Sequence, residues 1–330
     1  MRFLHIAPIN IHTETLRLAG PTIDGPPGLK GDGPSRSVIG LAHGLRELGH
    51  EVALLTTRPI DQSTGSHFSG IRLFNTRKRV PDNPWRNADH WIQRIEQQFG
   101  IPDVVNFHGV YDFWQCALAT SCLKKGWPYV VTPRGGLRPM PQARSPIKKR
   151  VVNWLVFNSY LKHATALLAL SQEEAQDIRH FLPAIEKIRI VSNGIFPSTV
   201  EWAESRTSSF ADRNPTGKPI RVGFVGQYDV DIKGLDLLFE AIYKLKECNL
   251  LHNFCFEFHG RFKKRNKKKA RWHRRVIKDY ERKIARPDQF QIHPAIFGMK
   301  KWHTMMSFDV FALTSRTEGM PVAVLEALAV

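Results

Sequence analysis

The chain has 330 residues, 42% of them hydrophobic and 24% charged, the balance of a soluble globular protein of about two domains. Leu, Ile, Val, Phe and Trp recur throughout, which excludes wholesale disorder. No apolar run approaches the roughly 18 residues of a spanning helix, which excludes a multi-pass membrane protein. The formal charge is +18, from 24 basic and 15 acidic residues in 1–200 and the same counts in 201–330. Within the second part, Arg261–Lys283 holds 13 basic and 2 acidic residues, net +11, so the remainder is −2. Such a balance suits anionic partners: nucleic acid, acidic lipid or phosphorylated substrates.

In chain order, Arg2–Ala7 reads as a strand, too short to be an export signal. A Gly/Pro-rich loop, Gly20–Pro34, precedes a helix over Ser35–Leu48 with apolar residues at helical spacing and Gly49 closing it. Glu51–Thr57 and Ile71–Asn75 are strand-like. Helix Trp85–Phe99, strand Asp103–Phe107, helix Phe113–Lys125, strand Pro128–Thr132 and helix Ile147–His163 follow. Ala164–Leu170 reads as a buried strand, Gln172–Phe181 as a helix and Ile188–Val191 as a strand. Repeated β-then-α predicts a parallel sheet covered on both faces. Pro197–Pro219 is polar, lacks apolar periodicity and reads as a linker. Alternation then restarts: strand Ile220–Gly226, helix Leu235–Glu247, strand Phe254–Gly260, basic helix Lys268–Ala285, strands Gln289–His293 and Asp309–Leu313, and a helix beginning at Pro321. The expected organisation is α/β with domains at 1–196 and 220–330 joined by 197–219, the second one cut short. Cys116, Cys122, Cys248 and Cys255 have neither redox-pair nor zinc-knuckle spacing and read as reduced core thiols of a cytoplasmic protein.

The most informative segment is Ser315–Ala329, where a strand ends in a polar loop and a helix opens with Pro321 near its first position. The N–H groups of Val322, Ala323 and Val324 then lack intrahelical partners and attract phosphate. Glu318 precedes the helix and Glu326 lies within it. Carboxylates accept from hydroxyls, so two acids beside a phosphate cradle suit a sugar nucleotide. Spacing alone also fits a strand–loop–helix with two solvated acids. In Arg221–Gly234, Lys233 near a helix start can place charge on a diphosphate, or be a surface lysine of a βα loop. Asp229 and Asp231 have the i, i+2 spacing of a metal pair, but that spacing arises often by chance, and no metal is expected. The Gly28–Arg36 loop lets backbone approach a ligand, as does any flexible loop, and it is not a dinucleotide fingerprint. His108 and Arg134 lie just past strand ends, where ligands of open α/β sheets bind, although a histidine there is often only a structural hydrogen-bonder. Arg261–Lys283 fits a solvated helix face, a nucleic-acid site or a contact with anionic lipid.

Taken together and in this order, Gly33-Pro-Ser-Arg-Ser, Leu48-Gly-His-Glu-Val, Thr132-Pro-Arg-Gly-Gly, Val191-Ser-Asn-Gly-Ile and Glu318-Gly-Met-Pro-(x)4-Glu-Ala-Leu-Ala resemble glycosyltransferase family 4. The resemblance implies the GT-B fold, two Rossmann-like domains facing across a cleft, and retaining transfer of a hexose from a nucleotide sugar to a lipid-linked or polysaccharide acceptor, without cofactor or essential metal. It implies that Glu318 contacts donor-sugar hydroxyls and Glu326 the ribose, that the N–H groups of Val322 and Ala323 hold phosphate, and that Lys233 counters its charge. By the same likeness His108 touches the donor sugar, Gly31 and Gly33 face the phosphates, and Gly226, Gln227, Gly319 and Arg134 complete the donor site. No protein nucleophile is expected; donor phosphate assists the acceptor's deprotonation. The chain departs from the family at Gln227, where an arginine is usual, and in stopping just past the Glu-Ala-Leu-Ala helix, which reads as a fragment or a truncated, inactive product. The expected location is cytoplasmic, peripheral on the inner membrane face, with nucleic acid not an expected partner. A sugar-nucleotide epimerase of the same fold and a nucleic-acid-binding protein using 261–283 stay open as alternatives.

Overall fold

A computed structural model describes residues 1–9, 33–56, 67–68, 70–75, 84–139, 156–205, 217–262 and 267–330. The described residues fall into two compact units that divide between Phe196 and Pro197.

The first unit runs β1 (Arg2–Ala7), α1 (Gly33–Glu47), β2 (Glu51–Thr56), β3 (His67–Phe68), β4 (Ile71–Asn75), α2 (Pro84–Phe99), β5 (Val104–His108), α3 (Phe113–Lys124), β6 (Tyr129–Thr132), α4 (Asn158–Lys162), β7 (Ala166–Ala169), α5 (Gln172–Phe181) and β8 (Ile188–Ile190). Its strands lie in the order β3-β4-β2-β1-β5-β6-β7-β8, all parallel except β3 against β4. The strands read as near-continuous apolar runs because both faces are covered. Val52 and Leu54 pack with Val38, Ile39 and Ala42 of α1, while Ala53 and Leu55 join Leu4, Phe107 and Trp114 on the other side. Asp112 caps α3 by accepting from the Trp114 N–H at 3.0 Å, and Ser171 caps α5 through the Glu174 N–H at 3.2 Å. Strand order reverses at the β1/β5 pair, with Ile6 beside Phe107.

The second unit runs α6 (Pro197–Glu204), β9 (Ile220–Gln227), α7 (Val230–Lys233), α8 (Leu235–Glu247), a 3-10 turn (Leu251–Asn253), β10 (Phe254–Arg261), α9 (Lys267–Ile284), β11 (Phe290–Pro294), α10 (Gly298–Met306), β12 (Val310–Phe311) and α11 (Val322–Leu328). The order is β11-β10-β9-β12, all parallel. Phe224, Phe256, Phe258 and Phe290 form a core with Phe239 and Ile242 of α8 and with Ile277 and Ile284 of α9. The chain adds β10 and β11 on one side of β9, then returns to place β12 on the other, so this sheet also has a reversal point, between β9 and β12.

Several expectations change. Residues 197–204 of the expected linker are helix α6, which belongs to the second unit and sets Trp202 edge-on to His303 at 5.5 Å; residues 206–216 lie outside the described residues. Of the helix expected over 147–163, only the part from Val156 is described, ending in α4. The loop expected over 20–34 lies outside the described residues as far as Asp32, while Gly33 and Pro34 already belong to α1. Helix α10 was not expected, because Lys301 occupies an inward position that an apolar pattern needs filled by Leu or Ile. Cys116 and Cys122 are buried, and burial pushes both thiols up to about 12. Cys248 is exposed, so it is not a core thiol.

Candidate functional site

Ligands of open parallel sheets bind beyond the carboxyl ends of the strands where strand order reverses. In the second unit that point is framed by the loops after β9 and β12, and the sequence motifs fall there. Gly234 joins α7 to α8 with φ +59°. A Cβ on it would come within 2.0 Å of the Thr314 carbonyl oxygen, so only glycine lets the two loops meet. The Thr314 hydroxyl donates to the Gly234 carbonyl at 2.9 Å, and the Arg316 N–H donates to the Ile232 carbonyl at 2.9 Å. The Arg316 guanidinium grips Asp236 through two bonds of 2.7 Å each, which lowers the Asp236 carboxyl below its ordinary range.

This clamp brings Lys233 onto Glu318. The Lys233 ammonium donates to Glu318 Oε1, which also accepts from the Ser315 hydroxyl at 2.8 Å. Neither side chain of the pair is fully buried, at 20% and 24% exposed. Gly319 and Met320 lead from there to α11. Pro321 is the residue before the helix, and its carbonyl accepts from the Val324 N–H at 3.0 Å. The Val322 and Ala323 N–H groups therefore open the helix without intrahelical acceptors, whereas Val324, expected to be free, is bonded.

Glu326 is not at the surface of this cluster. It is buried and forms an ion pair with the equally buried Lys301 of α10, at 2.5 Å. Lys301 carried no signal in the sequence beyond its charge. Gly226 lies near the end of β9, and the Cβ-free Gly260 beside it admits the Gly226 carbonyl oxygen, 2.4 Å from where a Cβ would stand. Gln227 pairs in register with Arg261, whose guanidinium lies over the Phe297 ring at 5.7 Å. Asp229 and Asp231 gather with His273, one ligand atom of each lying within 4.8 Å of the others. Asp229 caps α7 through the Ile232 N–H at 3.2 Å, and the Lys269 ammonium stands 3.5 Å from Asp229 and 3.0 Å from Asp231.

The reversal point of the first unit carries a second cluster. His108 ends β5, and its carbonyl accepts from the Gln115 amide at 2.9 Å. Arg134, at φ +52° just beyond β6, donates from Nε to His108 Nδ1 at 3.2 Å. Its Nη1 donates to the Ser37 hydroxyl at 3.0 Å and reaches Asn193 Oδ1 at 3.4 Å. His108 Nε2 faces His5 Nδ1 at 3.1 Å. Burial first, then the Arg134 charge, lowers His5 to about 4 and His108 well below its usual value. Both imidazoles are therefore neutral at pH 7. Because Arg134 donates to Nδ1, the His108 proton sits on Nε2 and is given to His5. Burial lowers Arg134 to about 10, and Glu174 opposes that shift, so the guanidinium stays cationic. His108 is 2% exposed and has both nitrogens engaged, so it supports Arg134 rather than presenting a free ring. His5 gave no sequence signal, and Ser37 and Asn193 stood in motifs of the family resemblance without a role at the site. Gly31 lies outside the described residues, and Gly33 begins α1.

Two α/β units, each with polar groups gathered at its reversal point, match the build of the GT-B fold. A family model for glycosyltransferase family 4 matches residues 31–198, and one for glycosyl transferases group 1 matches residues 219–330. The chain belongs to glycosyltransferase family 4. Among solved structures, it is similar to sucrose-phosphate synthase from Thermosynechococcus elongatus at 13% identity, covering 99% of this chain and 79% of that one, TM-score 0.66. It is similar to WaaG, a glycosyltransferase involved in lipopolysaccharide biosynthesis, at 16% identity, 99% and 78% coverage and TM-score 0.61. It is similar to Anabaena Alr3699/HepE in complex with UDP at 13% identity, 100% and 78% coverage and TM-score 0.64. No curated protein matches by sequence.

Proposed function

We propose that the chain transfers a hexose, with retention of configuration, from a nucleotide sugar to a lipid-linked or polysaccharide acceptor. The observation that carries this reading is the cluster of Lys233, Glu318 and the two open N–H groups of Val322 and Ala323 at one reversal point. In this reading the donor diphosphate lies against those N–H groups and draws the Lys233 ammonium from Glu318. The released carboxylate accepts from a hexose hydroxyl. Lys233 and the helix start then stabilise the negative charge that grows on the departing diphosphate. Glu326, held in place by Lys301, turns a carboxylate oxygen to the ribose diol. Arg134, positioned by His108, Ser37 and Asn193, contacts the donor sugar or phosphate, while Gly226, Gln227 and Gly319 provide close backbone approach. With no side chain assigned as nucleophile, the acceptor hydroxyl attacks from the face the diphosphate leaves, and a donor phosphate oxygen takes its proton. The bond from the anomeric carbon to the diphosphate breaks as the bond to the acceptor oxygen forms.

The transfer is proposed to need no metal; the Lys269 ammonium places one positive charge beside Asp229 and Asp231. The bound UDP of the Anabaena structure is consistent with a nucleotide donor. No helix among the described residues is long and apolar enough to cross a membrane. Membrane contact is instead assigned to α9, which carries nine Lys/Arg and two acidic residues and exposes Trp272 among them, a composition suited to anionic head groups. Incubation with UDP-, GDP- or ADP-hexose and a polyprenyl-phosphate-linked acceptor, followed by NMR of the product, tests the reaction. The expected product keeps the donor's anomeric configuration and forms only with acceptor present. An inverted product contradicts retention, and a changed sugar nucleotide without acceptor indicates the epimerase alternative instead.

A further inference from the structure

The face of the second sheet opposite its phenylalanine core carries a different chemistry. Glu257 and His259 are two positions apart on β10 and so share a face. His293 on β11 stands directly beside His259 in the parallel register, with the imidazoles stacked 4.7 Å apart. One nitrogen of each ring and one Glu257 oxygen lie within 4.8 Å of one another. His259 is 7% exposed, yet neither of its ring nitrogens has a hydrogen-bond partner among the described residues. A buried imidazole left so is costly unless something accepts its lone pair.

The flanking residues orient the other two groups. Arg221 donates from Nε and Nη2 to Glu257 Oε1 at 2.9 and 2.7 Å, and Glu257 Oε2 faces His259 Nε2 at 3.8 Å. Gln291 Oε1 lies 3.1 Å from His293 Nε2, which fixes the tautomer with its lone pair on Nδ1. Outer partners that set the tautomer and aim a carboxylate are the usual support of a metal ligand set. We propose that Glu257, His259 and His293 bind one divalent transition-metal ion of the zinc type, at a site that shares no residue with the donor cluster.

Two imidazoles and a carboxylate select zinc, cobalt or nickel over calcium or magnesium, which demand oxygen ligands. Metal–ligand bonds of about 2.1 Å put tetrahedral ligands about 3.4 Å apart, so the three groups close by side-chain rotation, and water takes the fourth position. The Arg221 and Lys300 charges oppose the ion and hold its affinity to the micromolar range. The ion ties edge strand β11 to β10, a structural role that needs no turnover.

Cobalt(II) titrated into the 330-residue chain, followed by visible absorption and then displaced by zinc, tests the site. One equivalent binds with micromolar affinity, and zinc raises the thermal midpoint. His259→Ala and His293→Gln each weaken binding at least tenfold and abolish the zinc-dependent rise. If His259→Ala does not fold, His293→Gln, at a partly buried position, decides. Absence of one-equivalent binding, or undiminished binding in the folded His293→Gln variant, overturns the site.

Discussion

His5 is a buried imidazole that titrates far from where a solvated one does, and the consequence is measurable. Its proton is bound at pH 6.5 in the unfolded chain and at about 4 in the folded one. Above pH 6.5 both states are neutral and the stabilisation is complete. As pH falls towards 4, the unfolded state takes up the proton first, so stability drops by up to about 1.4 kcal/mol per pH unit for this group. His108 acts in the same direction. Denaturant midpoints at pH 7, 5.5 and 4.5 should fall steadily, and His5→Gln should flatten the curve by one proton; an unchanged slope in the variant contradicts the assignment. At this scale the sequence singled out Lys233 and Glu318, and the two side chains meet. It did not single out the partners of His108 and Arg134: Ser37, Asn193 and His5 come to them from distant parts of the chain, and only the sheet order brings them there.

The pairing of α10 with α11 turns on Lys301 and Glu326, whose side chains are 8% and 5% exposed. Removing one partner of a buried pair leaves an uncompensated charge and costs about 3–5 kcal/mol, whereas replacing both by apolar groups is often neutral. Lys301→Met should therefore lower chemical stability by that amount, and Lys301→Met with Glu326→Leu should restore most of it. Equal loss in the single and double variants contradicts the pairing. This also makes Glu326→Ala a poor probe of ribose binding, because it strips the Lys301 charge of its partner. The long elements were readable because parallel strands buried on both faces are apolar throughout and the longer helices keep a 3.6-residue period. Helix α10 was not, since a lysine satisfied by a distant glutamate looks solvent-facing in sequence. Helix α6 was not, because Thr199 and Trp202 bury a helix of only 8 residues within a polar stretch.

For the molecule as a whole the charge is +18, and α9, with nine Lys/Arg against two acidic residues, carries +7 of it. Exposed Lys268, Arg271, Trp272, Arg275 and Arg282 give that helix an outward basic face, while His273, Ile277 and Ile284 anchor it. The chain should co-sediment with vesicles containing phosphatidylglycerol at low salt and be released as ionic strength rises. Arg271→Glu with Arg275→Glu should reduce the bound fraction several-fold, and equal binding by this variant contradicts the assignment of α9. Family and fold were legible from motif order, because each motif is a short, local run of sequence. The donor base, the sugar and the acceptor were not, because their selectivity depends on groups that the sequence does not bring together.

The reversal point of the second sheet is the proposed grip on an activated sugar. Calorimetric titration of UDP-, GDP- and ADP-hexoses into the chain and into Lys233→Ala, with folding of both checked by circular dichroism, tests this most directly. One donor should saturate a single site, and the variant should bind it at least tenfold more weakly, the effect of losing one charge-assisted contact of about 1.5–3 kcal/mol. Equal affinity in a folded Lys233→Ala variant, or no affinity of the native chain for any of the three donors, would contradict it.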